Sequence, residues 1–252
     1  VASGGGFRQD YDGGIAISPD GNRVAVTGKT FAGVVYADGI TLFERDPETG
    51  ALTYLESLVR EPAVQLGDLG HATSIAWAPD GARLAFVSPV GGYKEPENED
   101  EKRKSRPARV ITSVKYRFNG EGFVYDRRPH VFVVATDGSA PVQITDGDFI
   151  DSDPTWSPDG ASIVFASARH AERDDDDASD LWRVDAKGGT PERLTATVGP
   201  VELPSFSPDG RAIAYLSRPG KNAYGRNVRL YVIPSGGGSA TCLTSALDRS
   251  CG

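Results

Sequence analysis

The stretch Pro154-Thr-Trp-Ser-Pro-Asp-Gly160, continued by Ala-Ser-Ile-Val-Phe-Ala-Ser167, decides how the rest of the chain is read. It returns as Pro204-Ser-Phe-Ser-Pro-Asp-Gly210 before Arg-Ala-Ile-Ala-Tyr-Leu-Ser217. It returns again as Ser74-Ile-Ala-Trp-Ala-Pro-Asp-Gly81 before Ala-Arg-Leu-Ala-Phe-Val-Ser88, and as Gly14-Ile-Ala-Ile-Ser-Pro-Asp-Gly21 before Asn-Arg-Val-Ala-Val-Thr27. A strand, a tight turn and a second strand thus occur four times. Pro19, Pro79, Pro158 and Pro208 preset φ for the second turn position, and Asp20, Asp80, Asp159 and Asp209 take the third. Gly21, Gly81, Gly160 and Gly210 supply the left-handed residue that closes such a hairpin with a bulge. These twelve residues are assigned to structure: the aspartates cap turns and are not repeated catalytic groups.

The flanking columns alternate. Ile17, Trp77, Trp156 and Phe206 precede the turn; Val24, Leu84, Ile163 and Ile213 follow it, then Val26, Phe86, Phe165 and Tyr215. Between the last two sets lie mostly small residues, Ala25, Ala85, Val164 and Ala214. A period of two with a large and a small face suits a strand packed between two sheets. Each repeat has a second half of the same kind. Ile40 to Glu56 turns over Asp46 to Gly50; His130 to Thr145 turns at Asp137-Gly138; Asp180 to Thr195 turns at Gly188-Gly189; Arg229 to Thr244 turns at Gly236-Gly237-Gly238. Each unit is therefore a four-stranded meander, which cannot bury both faces alone. Stacking such sheets around an axis solves that problem, so an all-β β-propeller is expected, with four recognisable four-stranded blades making a partial or small ring. A sandwich would not call for four copies of one hairpin signature.

The expected divisions are a leader or edge strand over 1–14 and blades over 15–69, 70–150, 151–200 and 201–252. A charged insertion spans 89–129, densest between Tyr93 and Arg109, and reads as an exposed excursion.

The bulk composition excludes more than it assigns. In these 252 residues the 30 glycines and 17 prolines fall at turns, and the net charge of −8 argues against a nucleic-acid surface. No apolar run approaches a membrane span, and no basic-then-apolar leader opens the chain, so cytoplasmic location is the default expectation. Cys242 and Cys251 are too few for a disulfide scaffold. Three histidines, His71, His130 and His170, show no zinc spacing, and Asp174 to Asp177 lack the alternating oxygen ligands of a calcium loop, so neither metal nor cofactor is expected. A structural hydrogen bond is expected of His130. There is no Gly-x-Ser-x-Gly elbow and no phosphate-binding loop.

The repeats resemble propeller repeats of the TolB and prolyl oligopeptidase type, in the broad WD40-like class. Arg109 to Val134, Asp151 to Gly160, Phe165 to His170, Gly225 to Tyr231 and Cys242 to Ser250 resemble the non-catalytic propeller of acylaminoacyl-peptidase-like serine peptidases. Residues 40–56 are similar to blades of lactonase-like propellers. The peptidase resemblance implies a propeller that sits over a C-terminal α/β-hydrolase domain, restricts access to it and admits short peptides. On that reading the chain alone is not an enzyme, and its parent is a serine peptidase. Arg117, Glu121, Arg127 and Arg128, which flank the most specific segment, are the candidates for binding a peptide terminus or acidic group. The competing expectations are an independent TolB-like module that binds a protein or ligand, a homo-oligomer among its possible forms, and a lactonase-like hydrolase.

Overall fold

A computed structural model describes residues 14–27, 39–60, 74–91, 100, 110–118, 122–124, 126–196 and 198–251. Blade 1 is the antiparallel sheet β1 (Ile15–Ile17), β2 (Arg23–Thr27), β3 (Gly39–Arg45) and β4 (Leu52–Arg60). Blade 2 is β5 (Ile75–Trp77), β6 (Arg83–Gly91), β9 (Arg127–Ala135) and β10 (Val142–Gln143), with a separate hairpin of β7 (Arg117–Phe118) and β8 (Gly122–Phe123) between β6 and β9. Blade 3 is β11 (Asp151–Trp156), β12 (Ser162–Ser167), β13 (Asp180–Asp185) and β14 (Glu192–Arg193). Blade 4 is β15 (Val201–Phe206), β16 (Ala212–Ser217), β17 (Arg229–Pro234) and β18 (Thr241–Cys242). Every blade is a meander, as the repeat requires. The first strands β1, β5, β11 and β15 stand side by side in that order. Among the described residues the four sheets do not close into a hydrogen-bonded barrel.

The turn accounts for the start of each blade. The N–H of Gly21, Gly81, Gly160 and Gly210 donates to the carbonyl three residues earlier at 2.8–3.0 Å, and all four glycines are left-handed with φ between 66° and 76°. The turns also stack between blades. A Cβ on Gly81, Gly160 or Gly210 would lie 3.9, 3.8 or 3.5 Å from the ring of Pro19, Pro79 or Pro158 in the preceding blade.

Three interfaces hold the core. Ala25, Ile40 and Leu42 of blade 1 meet Trp77, Leu84, Phe86, Phe132 and Val134 of blade 2. Ala85, Val87 and Val131 meet Trp156, Ile163, Phe165 and Val184. Val164, Ala166 and Leu181 meet Val201, Ile213, Tyr215 and Ile233. The small column of one blade thus receives the large column of the next. Each fully buried Phe, Leu or Ile contributes about 1.5–3 kcal/mol, against about 1 kcal/mol for a turn hydrogen bond, so side-chain burial between blades dominates stability.

Two strands are longer than their sequence pattern suggests. β4 continues past Glu56 to Arg60, because irregularities opposite Ile40/Thr41 and Leu42/Phe43 absorb extra residues. β9 begins at Arg127, ahead of His130, because β6 carries the ladder on through Pro89↔Pro129, Val90↔Arg128 and Gly91↔Arg127. Paired sheet therefore reaches into both ends of the stretch read as an insertion. Within it, 92–99 and 101–109 lie outside the described residues, as do 1–13 of the leader, His71, Asn119, Gly120 and Glu121. Cys242 and Cys251 are both free thiols. No helix among the described residues is long and apolar enough to cross a membrane.

Candidate functional site

The blades have two chemically different ends. At the turn end, Arg23 lies over Trp77 at 5.4 Å and donates to the Gly81 carbonyl at 3.3 Å. Arg83 does the same to Trp156 at 4.7 Å and to the Gly160 carbonyl at 3.2 Å. The indoles reach back: Trp77 Nε1 donates to Ala16 O at 3.1 Å and Trp156 Nε1 to Ala76 O at 3.2 Å. The turn carboxylates are occupied locally. Asp20, Asp159 and Asp209 accept from the hydroxyls of Ser18, Ser157 and Ser207 at 2.5–2.6 Å, and these bonds with the following N–H groups hold them below the usual carboxylate range. Blade 2 has Ala78 in place of the serine, and Arg83 Nε supplies the contact to Asp80 at 2.8 Å.

The opposite end is polar and centred on Asp151, the first residue of β11, which is 1% exposed. Its Oδ2 accepts from Thr145 Oγ1 at 2.6 Å and lies 3.1 Å from His130 Nδ1, both in blade 2. Arg169 Nη2 donates to both carboxylate oxygens at 2.8 and 3.0 Å. Burial pushes the Asp151 carboxyl up. The His130 hydrogen bond, the Arg169 charge and the Thr145 and Ser167 hydroxyls outweigh that and hold it below the ordinary value. Arg169 is itself enclosed by the rings of Phe149, Phe165 and Trp182 at 4.6, 5.3 and 5.6 Å. Thr145 also caps the third strand by accepting from Val131 N, and Thr195 and Thr244 repeat that contact with Leu181 N and Leu230 N.

Further out, Asp148 bridges Arg128 at 2.7 Å and Arg173 at 3.2 Å. The acidic run between β12 and β13 is tied down: Asp174 accepts from Val114 N and Lys115 N, and Asp176 from His170 Nε2 at 2.8 Å and Ala178 N. Lys115 Nζ donates to the carbonyls of Arg173 and Asp176. Among the described residues no group of three or more His, Cys, Asp or Glu is placed to hold a metal ion.

The candidates from the sequence fall at this same end. Arg127 and Arg128 open β9, Arg127 half-buried; Arg117 is exposed on β7; Glu121 lies outside the described residues. Arg128 is engaged through Asp148 and through the carbonyls of Val124 and Arg127 at 2.7 and 3.0 Å. Asp151, Arg169 and the repeated threonines received no role from the sequence. The signal available was an apolar residue followed by Thr at the end of each last strand: Ile144-Thr145, Leu194-Thr195 and Leu243-Thr244. His130 opposes Ser88 across the β6–β9 ladder, but Ser88 Oγ makes no hydrogen bond, so these groups form no Ser–His–Asp relay. A buried carboxylate saturated by a hydroxyl, an imidazole and a guanidinium joins two blades; it has no lone pair arranged for proton transfer.

No family model matches the chain. It is 30% identical over 141 residues to the uncharacterized peptidase YuxL of Bacillus subtilis, a match covering 56% of this chain and 16% of that protein. Solved structures share its fold. Acylaminoacyl peptidase of Pyrococcus horikoshii matches with a TM-score of 0.57 and 20% identity, over 94% of this chain and 32% of that one. TolB of Acinetobacter baumannii matches with a TM-score of 0.54 and 19% identity, over 94% and 44%. The chain thus spans less than half of each of these three proteins, and its four blades have the architecture of the propeller domains of TolB and acylaminoacyl peptidase.

Proposed function

We propose that this chain is the non-catalytic propeller part of a serine peptidase, gating and selecting short peptides for an α/β-hydrolase domain that lies outside these 252 residues. The similarity to a peptidase sixfold longer than the matched share carries the reading, since 56% of this chain aligns with 16% of that protein. The exposed flanks of the arc support it. Ile15 and Ile17 on blade 1, and Leu243 and Leu247 on blade 4, are 67%, 58%, 58% and 48% exposed. Further blades would cover such faces. A propeller set over an active site excludes bulk water and folded proteins while admitting short chains. Arg117, Arg127 and Arg128 remain its candidate peptide contacts, at the polar end of the blades.

The test is the natural polypeptide that contains these residues. It is expected to be much longer than this chain, to hydrolyse short peptides and to spare folded proteins. A polypeptide no longer than this chain, monomeric and unfolding cooperatively, overturns the reading. That outcome favours an independent binding module, for which the shared fold with TolB is the supporting observation.

A further inference from the structure

A cleft of about 340 Å³ opens beside the start of β17, lined by Pro219, Gly225, Arg226, Asn227 and Arg229. We propose that it binds a small oxyanion, a carboxylate or a phosphate group.

The chain carries a net charge of −8, and several of its arginines near the blade ends are matched with acids. Arg83 pairs with Asp80, Arg128 and Arg173 with Asp148, Arg169 with Asp151, Arg183 with Glu192 and Arg218 with Glu202. Among the described residues Arg226 and Arg229 pair with none. Arg229 is nonetheless held in place: its Nη1 donates to the carbonyls of Thr244 at 3.0 Å and Ser245 at 2.7 Å. Anchoring through one nitrogen leaves Nε and Nη2 uncommitted on an oriented guanidinium. Among the described residues Arg226 makes no side-chain hydrogen bond, and its guanidinium lies against Gly220, where an added Cβ would stand 3.6 Å from Cζ. Asn227 accepts at Oδ1 from Ser250 Oγ at 3.5 Å, which turns its amide nitrogen to other partners.

The backbone between them is pinned. Arg226 N donates to Ala223 O at 3.1 Å, Val228 N to Ser250 Oγ at 3.2 Å, and Cys251 N to Val228 O at 2.9 Å. The cleft therefore presents two guanidinium forks and an amide nitrogen, all donors, with no carboxylate side chain among its lining residues. The complement of such a set is an acceptor-only, negatively charged group with planar or tetrahedral oxygens. The inference does not depend on the peptidase reading, because an independent propeller would carry the same cleft.

The test titrates the isotopically labelled chain at constant ionic strength with inorganic phosphate, and separately with a dipeptide bearing a free or an amidated C-terminus. The arginine Nε–H resonances are followed. Saturable shifts are expected at Arg226 and Arg229. Arg226→Gln, an exposed change that leaves the fold intact, is expected to weaken binding about tenfold or more. Arg211→Gln, at the turn end, is expected to leave it unchanged. Binding of the free-acid peptide but not the amide assigns a carboxylate ligand; binding of phosphate alone assigns a phosphate. Saturation by neither, or equal affinity in Arg226→Gln, overturns the proposal.

Discussion

Leu243 occupies in blade 4 the place that Leu194 occupies in blade 3, yet Leu194 is 3% exposed and Leu243 is 58% exposed. Each donates its N–H to a leucine of the third strand, Leu194 to Leu181 O and Leu243 to Leu230 O, at 2.8 Å. Their local structure is the same; what differs is the neighbour. Blade 4 covers blade 3, and no described sheet covers the far face of blade 4.

Leu194→Ala should therefore cost about 2–5 kcal/mol through the cavity it leaves. Leu243→Ala should stay within about 0.5 kcal/mol in this chain. Urea unfolding of both variants measures the contrast. In the longer polypeptide proposed above, Leu243→Ala should become as costly as Leu194→Ala; a negligible effect there would rule out a further blade on this face.

Asp151→Asn should destabilise the chain by about 3–5 kcal/mol, because Arg169 is left as a buried charge without its counter-ion. Loss of the Asp151 contact also frees His130 and Thr145, so the blade 2–blade 3 interface should loosen first. Hydrogen exchange at Val131, whose N–H is held by Thr145, reports that step. Unchanged protection at Val131 would show that the carboxylate does not join the blades.

The same carboxylate gives a pH dependence of defined sign. Its folded value is depressed below the ordinary 3.8. The stabilisation it provides is complete above the unfolded value of about 3.9 and is lost as the pH falls through the lower folded value. Stability of the parent chain should fall more steeply than that of Asp151→Asn below pH about 4. Parallel acid titrations of the two would sink the assignment.

Arg83 and Trp156 should be coupled by about 0.5–2 kcal/mol in a double-mutant cycle of Arg83→Ala and Trp156→Phe, read from unfolding free energies. The pair spans blades 2 and 3, and its counterpart between blades 3 and 4 is missing, since Ser162 and Phe206 stand at those places. Ser162→Ala with Phe206→Leu should accordingly show less coupling than the Arg83 cycle.

Gly21→Ala should cost about 1–2 kcal/mol, the expense of an L-residue in the left-handed region, because nothing lies within 4 Å of an added Cβ there. Gly160→Ala should cost more. Its Cβ would come within 3.1 Å of Arg83 Nη2 and disturb the guanidinium that rests on Trp156. Equal losses in thermal unfolding would separate the turn from the inter-blade contact.

The sequence by itself determined the repeating unit. Pro-Asp-Gly turns are local chemistry, and the alternation of Trp156, Ile163 and Phe165 with Val164 is a property of the pleat, so strands, hairpins and the stacking of blades were legible from neighbouring residues. Strand ends were less so: β9 starts at Arg127 because β6 extends to meet it, and that partner lies beyond the insertion. Only the tertiary structure decided the polar end. Asp151, His130 and Arg169 come from two blades and meet through the packing of Ala85, Val87 and Val131 on Ile163 and Phe165. The Arg226–Arg229 cleft likewise depends on residues 244–251 folding back over the start of β17. Local backbone preference acts over a few residues. Which charges become neighbours is set by long-range burial, and no spacing along the chain encodes it.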